Sequence, residues 1–349
     1  MKKLNVLIIF GGKSSEHSVS IWSANNVIKA IDKSKYILYL IYIDKHGNWF
    51  KIPNNFEINE KVIAKNLNKF NHAYLMLKKN KGVVFNLQNK KTSPIDVCFP
   101  ILHGLNGEDG TIQGLLKLYN IKFVGSDVLG SGINMDKVIG KRLLKSTEIK
   151  IAKFVDFKKH EQVNWNFEKL KKILNTPFFI KPANTGSSIG ISKVHNKKEF
   201  TNAIKKAFKH ANKIIAEEEI KGREIECSVL GNTHPIASLI GEIIPEDEFY
   251  SYEDKCVNTD NAKLIIPAKL SKSQIRKIQK VALESYQLLE CSGFARADMF
   301  LTKNNEIYLN EINTIPGFTN ISMFPKLWEV SGLEYTQLIN ILISLALKN

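Results

Sequence analysis

Residues 294–313, FARADMFLTKNNEIYLNEIN, read as two β-prone runs joined by a polar turn at Lys303-Asn304-Asn305. Side chains on a strand alternate between faces, so Arg296 shares a face with Asp298, and Glu311 shares one with Asn313. An even-numbered connection, with Lys303 or Leu301 opposite Glu306, brings all four to the same side. An odd one turns Asp298 away. The converged face carries two carboxylates, an amide oxygen and a guanidinium. Taken alone it has two readings: a solvated hairpin edge, or a floor of hard oxygen donors of the kind Mg²⁺ takes when it bridges nucleotide phosphates.

Four other stretches bear on that choice. GGKSSEHSVS, residues 11–20, follows an apolar run directly; its two glycines allow a tight turn close to a ligand, and Glu16 falls near a helix start. The third glycine of a dinucleotide fingerprint is missing, and a plain capped turn is the alternative. NTGSSIG, residues 184–190, comes just after Phe179-Ile180-Lys181-Pro182. Its small residues, with Ser187 and Ser188 as added donors, suit an anion cradle, and Lys181 supplies a point charge. It is not a Walker A loop, because no GK[ST] is present. LHGLNGEDG, residues 102–110, sets His103 and Glu108 at a strand end, where α/β folds gather ligands, although a loop histidine is also commonly structural. EINTIPGF places the Gly317 backbone N–H a few residues beyond the carboxylate face, where it can donate to an oxyanion. Together these are the parts for nucleotide-driven activation of a carboxylate, with phosphoryl transfer managed by positioning and electrostatics.

At 349 residues the chain has room for two or three cores. No apolar run approaches the roughly 20 residues of a membrane helix. MKKLNVLIIF passes straight into GGKSSEH without a small-residue cleavage site, so it reads as a buried first strand rather than a secretion signal. Cys98, Cys227, Cys256 and Cys291 form no CxxC pair, which points to neither a disulfide framework nor zinc, and to the cytoplasm. The net charge of +16 is carried almost wholly by scattered lysines, with Arg142, Arg223, Arg276 and Arg296 the four arginines. That pattern favours a lysine-rich surface over a nucleic-acid groove, though it attracts polyphosphates. Neither nucleic acid nor membrane is expected as a partner.

LNVLIIF, YILYLIYID and PIDVCFPIL read as buried strands and Ser18–Ile31 as a helix, which together make an open parallel α/β sheet. Residues 53–80 carry no clear pattern. From Asp127 onward, MDKVIGKRLLKSTEI reads as one helix with Asp136 in its first turn. Short strands follow near 153–157, 178–181 and 189–194, then a helix over 198–209 and strands in KIIAEEEI, EIECSVLG and IASLIGEII. A long polar loop, 245–264, precedes a helix over 272–289, and a last helix spans 335–348. Three units are expected: 1–126, 127–222 and 223–349, the first α/β and the other two α+β.

Over its whole length the chain resembles the D-alanine–D-alanine ligases of the ATP-grasp superfamily. The matching stretches are GGKSSEHSVS, LHGLNGEDGTIQG, MDK, FIKPANTGSSIGISKV, EEIKGREIECSVLG, FYSYEDK, GFARADMF and NEINTIPGFTNISMFPKLWEVSGL, the last being the most specific. The resemblance implies a three-domain ATP-grasp fold that joins two D-alanines for peptidoglycan synthesis. ATP then lies between the second and third units, with Lys137 and Lys181 on its phosphates. Glu217, Glu218 and Ile220 meet the adenine, Glu224 meets the ribose, and the Ser187 loop closes over the phosphates. Asp298, Glu311 and Asn313 hold two Mg²⁺ or Mn²⁺ ions. Glu16 pairs with the first ammonium, with His103 nearby; Arg296 and the Gly317 N–H meet the oxyanion; Ser322 holds the second carboxylate; and Lys255 reaches the substrates from the long loop. A homodimer is usual in the family.

The chain departs from the family at Cys256, where a tyrosine usually follows the loop lysine and closes a contact to Glu16 and Ser187. Cysteine is shorter and a weak donor, so looser closure is expected, with Tyr250 and Tyr252 as neighbouring donors. Two other functions stay open on the sequence: a D-lactate-using or other ATP-grasp carboxylate–amine ligase, and a nucleotide- or nucleic-acid-binding protein without catalysis.

Overall fold

The computed structural model describes residues 2–245 and 262–348. Its first sheet has seven strands: β1 (Leu4–Gly11), β2 (Tyr36–Ile43), β3 (Trp49–Ile52), β4 (Asn71–Lys78), β5 (Lys81–Asn86), β6 (Thr92–Pro94) and β7 (Val97–Ile101), in the order β6-β5-β4-β3-β2-β1-β7. Only β2-β1-β7 are parallel, the three apolar runs expected to be; β3 to β6 extend the sheet antiparallel, with β4 in the stretch without a clear pattern.

The reason β1 is apolar throughout is visible in its two faces. Val6, Ile8 and Phe10 pack with Ile21, Ala24 and Val27 of helix α1 (His17–Ala30), while Leu7 and Ile9 pack with Ile112 and Leu116 of α3 (Thr111–Leu118). Each such side chain contributes about 1.5–3 kcal/mol of burial. Helix α2 (Glu60–Asn66) lies in the stretch between β3 and β4, capped by Asn59, whose side chain accepts from the Lys61 and Val62 N–H groups.

The helix expected over residues 135–149 is the shorter α5 (Lys137–Leu144), and a separate helix, α4 (Val128–Met135), runs up to it. Asp136 adopts extended backbone between them, and its carboxylate accepts from Val138 and Ile139 N–H to start α5. Beyond α5, β8 (Lys150–Ile151) leads to an antiparallel sheet of β9 (Phe154–Lys158), β10 (Phe178–Pro182), β11 (Ser192–Val194) and β12 (Lys213–Glu218), in the order β11-β10-β12-β9. Helices α6 (Phe167–Leu174) and α7 (Lys197–Ala207) bury their apolar stripes on this sheet.

The third sheet runs β15-β14-β13-β16-β17-β8, from β13 (Gly222–Leu230), β14 (Ile236–Pro245), β15 (Ala262–Ile265), β16 (Phe294–Thr302) and β17 (Ile307–Asn313). Helix α8 (Lys272–Leu288) packs on it, opened by a Ser271–Gln274 capping box. Two further helices follow, α9 (Met323–Val330) and α10 (Tyr335–Lys348). Two pieces cross the boundaries expected from sequence. β8 pairs with β17 in the third sheet, and Leu338, Ile339, Leu342 and Ile343 of α10 belong to the same core as Val6 and Phe10.

The β16–β17 turn corrects the sequence expectation. Leu301 pairs with Ile307, so the connection holds five residues, Thr302 to Glu306, an odd number. The ladder then shifts by one residue between Asp298 and Met299. Met299 pairs with Leu309, but Asp298 pairs with Glu311, leaving Asn310 as the extra residue of a β-bulge. Beyond the bulge the register is the one an even connection would have produced, with Arg296 opposite Asn313.

Candidate active site

The bulge brings the four polar side chains of the hairpin together. The Arg296 guanidinium donates to both Asp298 oxygens at 2.7 Å, and its Nε lies 2.9 Å from a Glu226 oxygen on the neighbouring β13. Burial works against the arginine's charge, but Asp298 and Glu226 overcome it and raise its pKa. Asn313 donates its amide nitrogen to Asp298 Oδ2 at 2.9 Å, which leaves its amide oxygen as the acceptor end. Two opposed carboxylates with an adjacent amide oxygen form a hard, oxygen-only set that fits Mg²⁺. Each carboxylate already faces a cation, Asp298 the arginine and Glu311 Lys137 at 3.2 Å, and these pairs orient both.

Beside this floor lies a crevice of about 490 Å³ between the second and third sheets. Its walls include Lys137, Lys181, the 185–188 loop, the Glu217–Glu224 segment, Phe300 and Glu311. Lys137 donates to the Thr185 carbonyl at 2.8 Å. Lys181 sits 2.6 Å from Glu217, and Lys141, buried on α5, lies 3.0 Å from the other Glu217 oxygen. Burial alone would push the Glu217 carboxyl up, but Lys141 and Lys181 hold it at about 2. The Glu217–Glu224 segment lines the crevice, with the Glu217 carboxylate itself turned to two lysines. Glu218 accepts from the Lys153 N–H at 2.7 Å.

Ser187 and Ser188 both have left-handed backbone, φ 47° and 58°, an uncommon state for non-glycine residues and one that clusters at functional sites. The Ser187 hydroxyl donates to Glu16. Glu16 starts α1 without spending its carboxylate on the cap. That carboxylate reaches Ser187 because Gly104 and Gly186 leave room: a Cβ at Gly104 would collide with Glu16 Oε2, and one at Gly186 would stand 2.8 Å from it.

A smaller cavity of about 180 Å³ adjoins the crevice, lined by Glu16, His103, Glu108, Arg296, Gly317 and Ser322 among others. Gly186, Ser187 and Glu311 line both cavities, so the two meet at those residues. His103 bonds the Ile315 carbonyl at 2.9 Å and the Ser23 hydroxyl at 3.0 Å, and burial lowers its pKa to about 4, so its ring is neutral. Glu108 accepts from the Gly104 and Ile315 N–H groups at 2.7 and 3.1 Å; burial and the nearby Glu16 push it up to about 8. Gly317 is tied to Ser322, since a Cβ there would lie 2.6 Å from the serine oxygen. Ser322 precedes α9 as its cap and accepts from the Thr319 N–H at 3.0 Å, which sets the small cavity against a helix N-terminus.

Lys255, Cys256, Tyr250 and Tyr252 lie outside the described residues. The sequence reading missed Lys141 and Glu226, both buried and both paired with residues it named. The signal for Lys141 was its place one turn after Lys137, and for Glu226 a charge within the apolar run EIECSVLG.

Two sheets closing on a crevice, with lysines on one wall and a carboxylate face on the other, define an ATP-grasp enzyme. The chain belongs to the D-alanine–D-alanine ligase family: residues 5–126 match the family's N-terminal model and residues 143–344 its C-terminal model. It is 51% identical over 355 residues to D-alanine–D-alanine ligase of Oceanobacillus iheyensis, covering 100% of this chain and 96% of that protein. It is 46% identical over 360 residues to D-alanine–D-alanine ligase A of Escherichia coli K12, covering 100% and 97%. Among solved structures, D-alanine–D-alanine ligase of Coxiella burnetii superposes with a TM-score of 0.88 at 35% identity, covering 100% of this chain and 95% of that one. VanG D-Ala:D-Ser ligase of Enterococcus faecalis also gives 0.88 at 35% identity, covering 99% and 100%. Among the described residues no single helix is long and apolar enough to cross a membrane.

Proposed function

We propose that this chain ligates two D-alanines to D-alanyl-D-alanine at the expense of ATP, using the two cavities that meet at Ser187 and Glu311. That meeting carries the reading, because it sets a crevice of about 490 Å³, room for a nucleotide, against a cavity of about 180 Å³ at one shared wall. The division into units 1–126, 127–222 and 223–349, a cytoplasmic location and a homodimer belong to the same reading.

In this scheme Lys137 and Lys181 neutralise the triphosphate, Glu217, Glu218 and Ile220 flank the adenine, and Glu224 takes the ribose. Asp298, Glu311 and Asn313 would hold Mg²⁺ or Mn²⁺, which supplies charge neutralisation at the transferring phosphoryl group. Glu16 takes the ammonium of the first D-alanine, positioned by the neutral His103. The carboxylate of that D-alanine attacks the γ-phosphorus, ADP leaves, and an acyl phosphate results. The second D-alanine, its carboxylate held by Ser322 at the start of α9 and its approach helped by Lys255, attacks the acyl carbon with its amine after losing a proton. Arg296 and the Gly317 N–H stabilise the oxyanion of the tetrahedral adduct, which expels inorganic phosphate and leaves the amide. The Ser187 loop excludes water from the acyl phosphate.

The test is phosphate release from ATP with D-alanine, with L-alanine and with neither. Stimulation by D-alanine alone is expected; equal response to both enantiomers, or to none, would falsify the assignment. Cys256 bears on the choice of second substrate, and the dipeptide is the expected product. Depsipeptide as the main product of a mixture of D-alanine and D-lactate at neutral pH would show a hydroxy-acid ligase instead.

A further inference from the structure

Lys137 and Lys141 stand at i and i+4 on α5, a spacing that puts both on one helix face. They reach adjacent residues of the β17 bulge. Lys137 faces the Glu311 carboxylate at 3.2 Å, and Lys141 donates to the Asn310 carbonyl at 3.2 Å. Lys141 is only 3% exposed and stands behind the wall formed by Lys181, Glu217, Asn310 and Glu311. Burying an ammonium is costly unless it is paired, so its partners define what it does. Those partners sit on two different sheets: Glu217 on β12 of the second, Asn310 on β17 of the third.

We propose that Lys141 is a positioning residue of the nucleotide site: it shares Glu217 with Lys181, leaving part of the Lys181 charge for a polyphosphate, and it holds the bulge that presents Glu311 opposite Asp298. The proposal rests on the phosphate and metal assignments made above. Two ammoniums and one carboxylate leave the buried triad with an excess positive charge. Without the Lys141 charge the sum is neutral, and Glu217 has Lys181 as its sole counter-ion in the triad. The bulge adds a second need. Its extra residue, Asn310, has no partner in the ladder, and the Lys141 ammonium donates to its part-buried carbonyl.

The experiment measures ADP binding by calorimetry on the full chain, with and without Mg²⁺, for Lys141→Met, Lys141→Arg, Lys181→Met and Lys141→Met/Glu217→Gln. Steady-state constants for ATP and D-alanine are measured alongside. Lys141→Met is expected to weaken ADP binding about tenfold even without Mg²⁺, and to raise the KM for ATP while leaving that for D-alanine near its starting value. Lys141→Arg should recover part of the loss, and removing the Glu217 charge in the Met background should tighten ADP binding again. If Lys181→Met weakens ADP binding and Lys141→Met does not, the proposal is wrong and the site assignment stands. If neither variant alters ADP binding, the site assignment itself is wrong. A double variant no better than Lys141→Met overturns the sharing of Glu217. Should Lys141→Met fail to fold, Lys141→Gln, which keeps a donor but not the charge, carries the same expectations.

Discussion

Asp298 stands directly opposite Glu311 because Asn310, one residue earlier on β17, is bulged out of the ladder. Without that extra residue the pairing nearer the turn would continue, and Glu311 and Asn313 would point into the core behind the sheet. The burial pattern records the shift, with Asn310 and Glu311 both half-buried where strict alternation would bury one of them.

Glu311→Gln keeps the shape of the side chain and the bulge but removes a charge from the metal face. The Mg²⁺ concentration for half-maximal activity should rise about 10- to 100-fold, with the melting temperature little changed. An unaltered Mg²⁺ activation curve would put the metal elsewhere.

Ser187→Ala removes the donor to the Glu16 carboxylate and so loosens the phosphate loop. A hydrogen bond to a charged partner contributes about 1.5–3 kcal/mol. Phosphate release should therefore exceed dipeptide formation, as water reaches the acyl phosphate. A variant that keeps the two rates equal would show that the loop closes without this bond.

Gly317→Ala puts a methyl group against the Ser322 oxygen, at 2.6 Å before relaxation. The serine has to move from the start of α9, and the affinity for the second D-alanine should fall by roughly tenfold, the range for one lost bond to a carboxylate. The measurement is the KM for the second amino-acid site. No change there would remove Ser322 from the carboxylate's partners.

Glu108 predicts a pH dependence of stability. Its pKa of about 8 exceeds the ordinary 4.5, so the folded chain retains a proton that the unfolded chain releases, and stability falls as pH rises through that interval. His103, lowered from 6.5 to about 4, acts in the opposite sense below 6.5. Above 6.5 Glu108 is the one of the two still changing. The melting temperature should decline from pH 6.5 to 8, and Glu108→Gln should flatten that decline. An equal slope in the variant would assign the proton to another group.

Much of this architecture can be read before any coordinates are seen. The runs that became β1, β2 and β7 are apolar because both faces are covered, and α10 was expected over its observed span. The bulge was not legible, since an odd turn and an extra residue cancel and neither leaves a mark in composition. Helix α9 is short and carries a proline at Pro325, which masks the helical spacing of Met323, Phe324, Leu327 and Trp328. In β4 only Ala73 and Leu75 are buried, too few to stand out among lysines and asparagines. The sequence marks Lys141 only by its helical spacing from Lys137, since its partners are 76 and 169 residues away, from the pairs 141–217 and 141–310.

The α10 side chains that complete the core around β1 have a consequence for biosynthesis. The first sheet leaves the ribosome early, but Leu338, Ile339 and Leu342, which cover Val6 and Phe10 together with α1, are made after both other sheets. Through most of translation that apolar patch waits uncovered, a state open to chaperones and to premature association. The chain is thus fastened by its late residues to its early ones, and the first core can close only after α10 has been made.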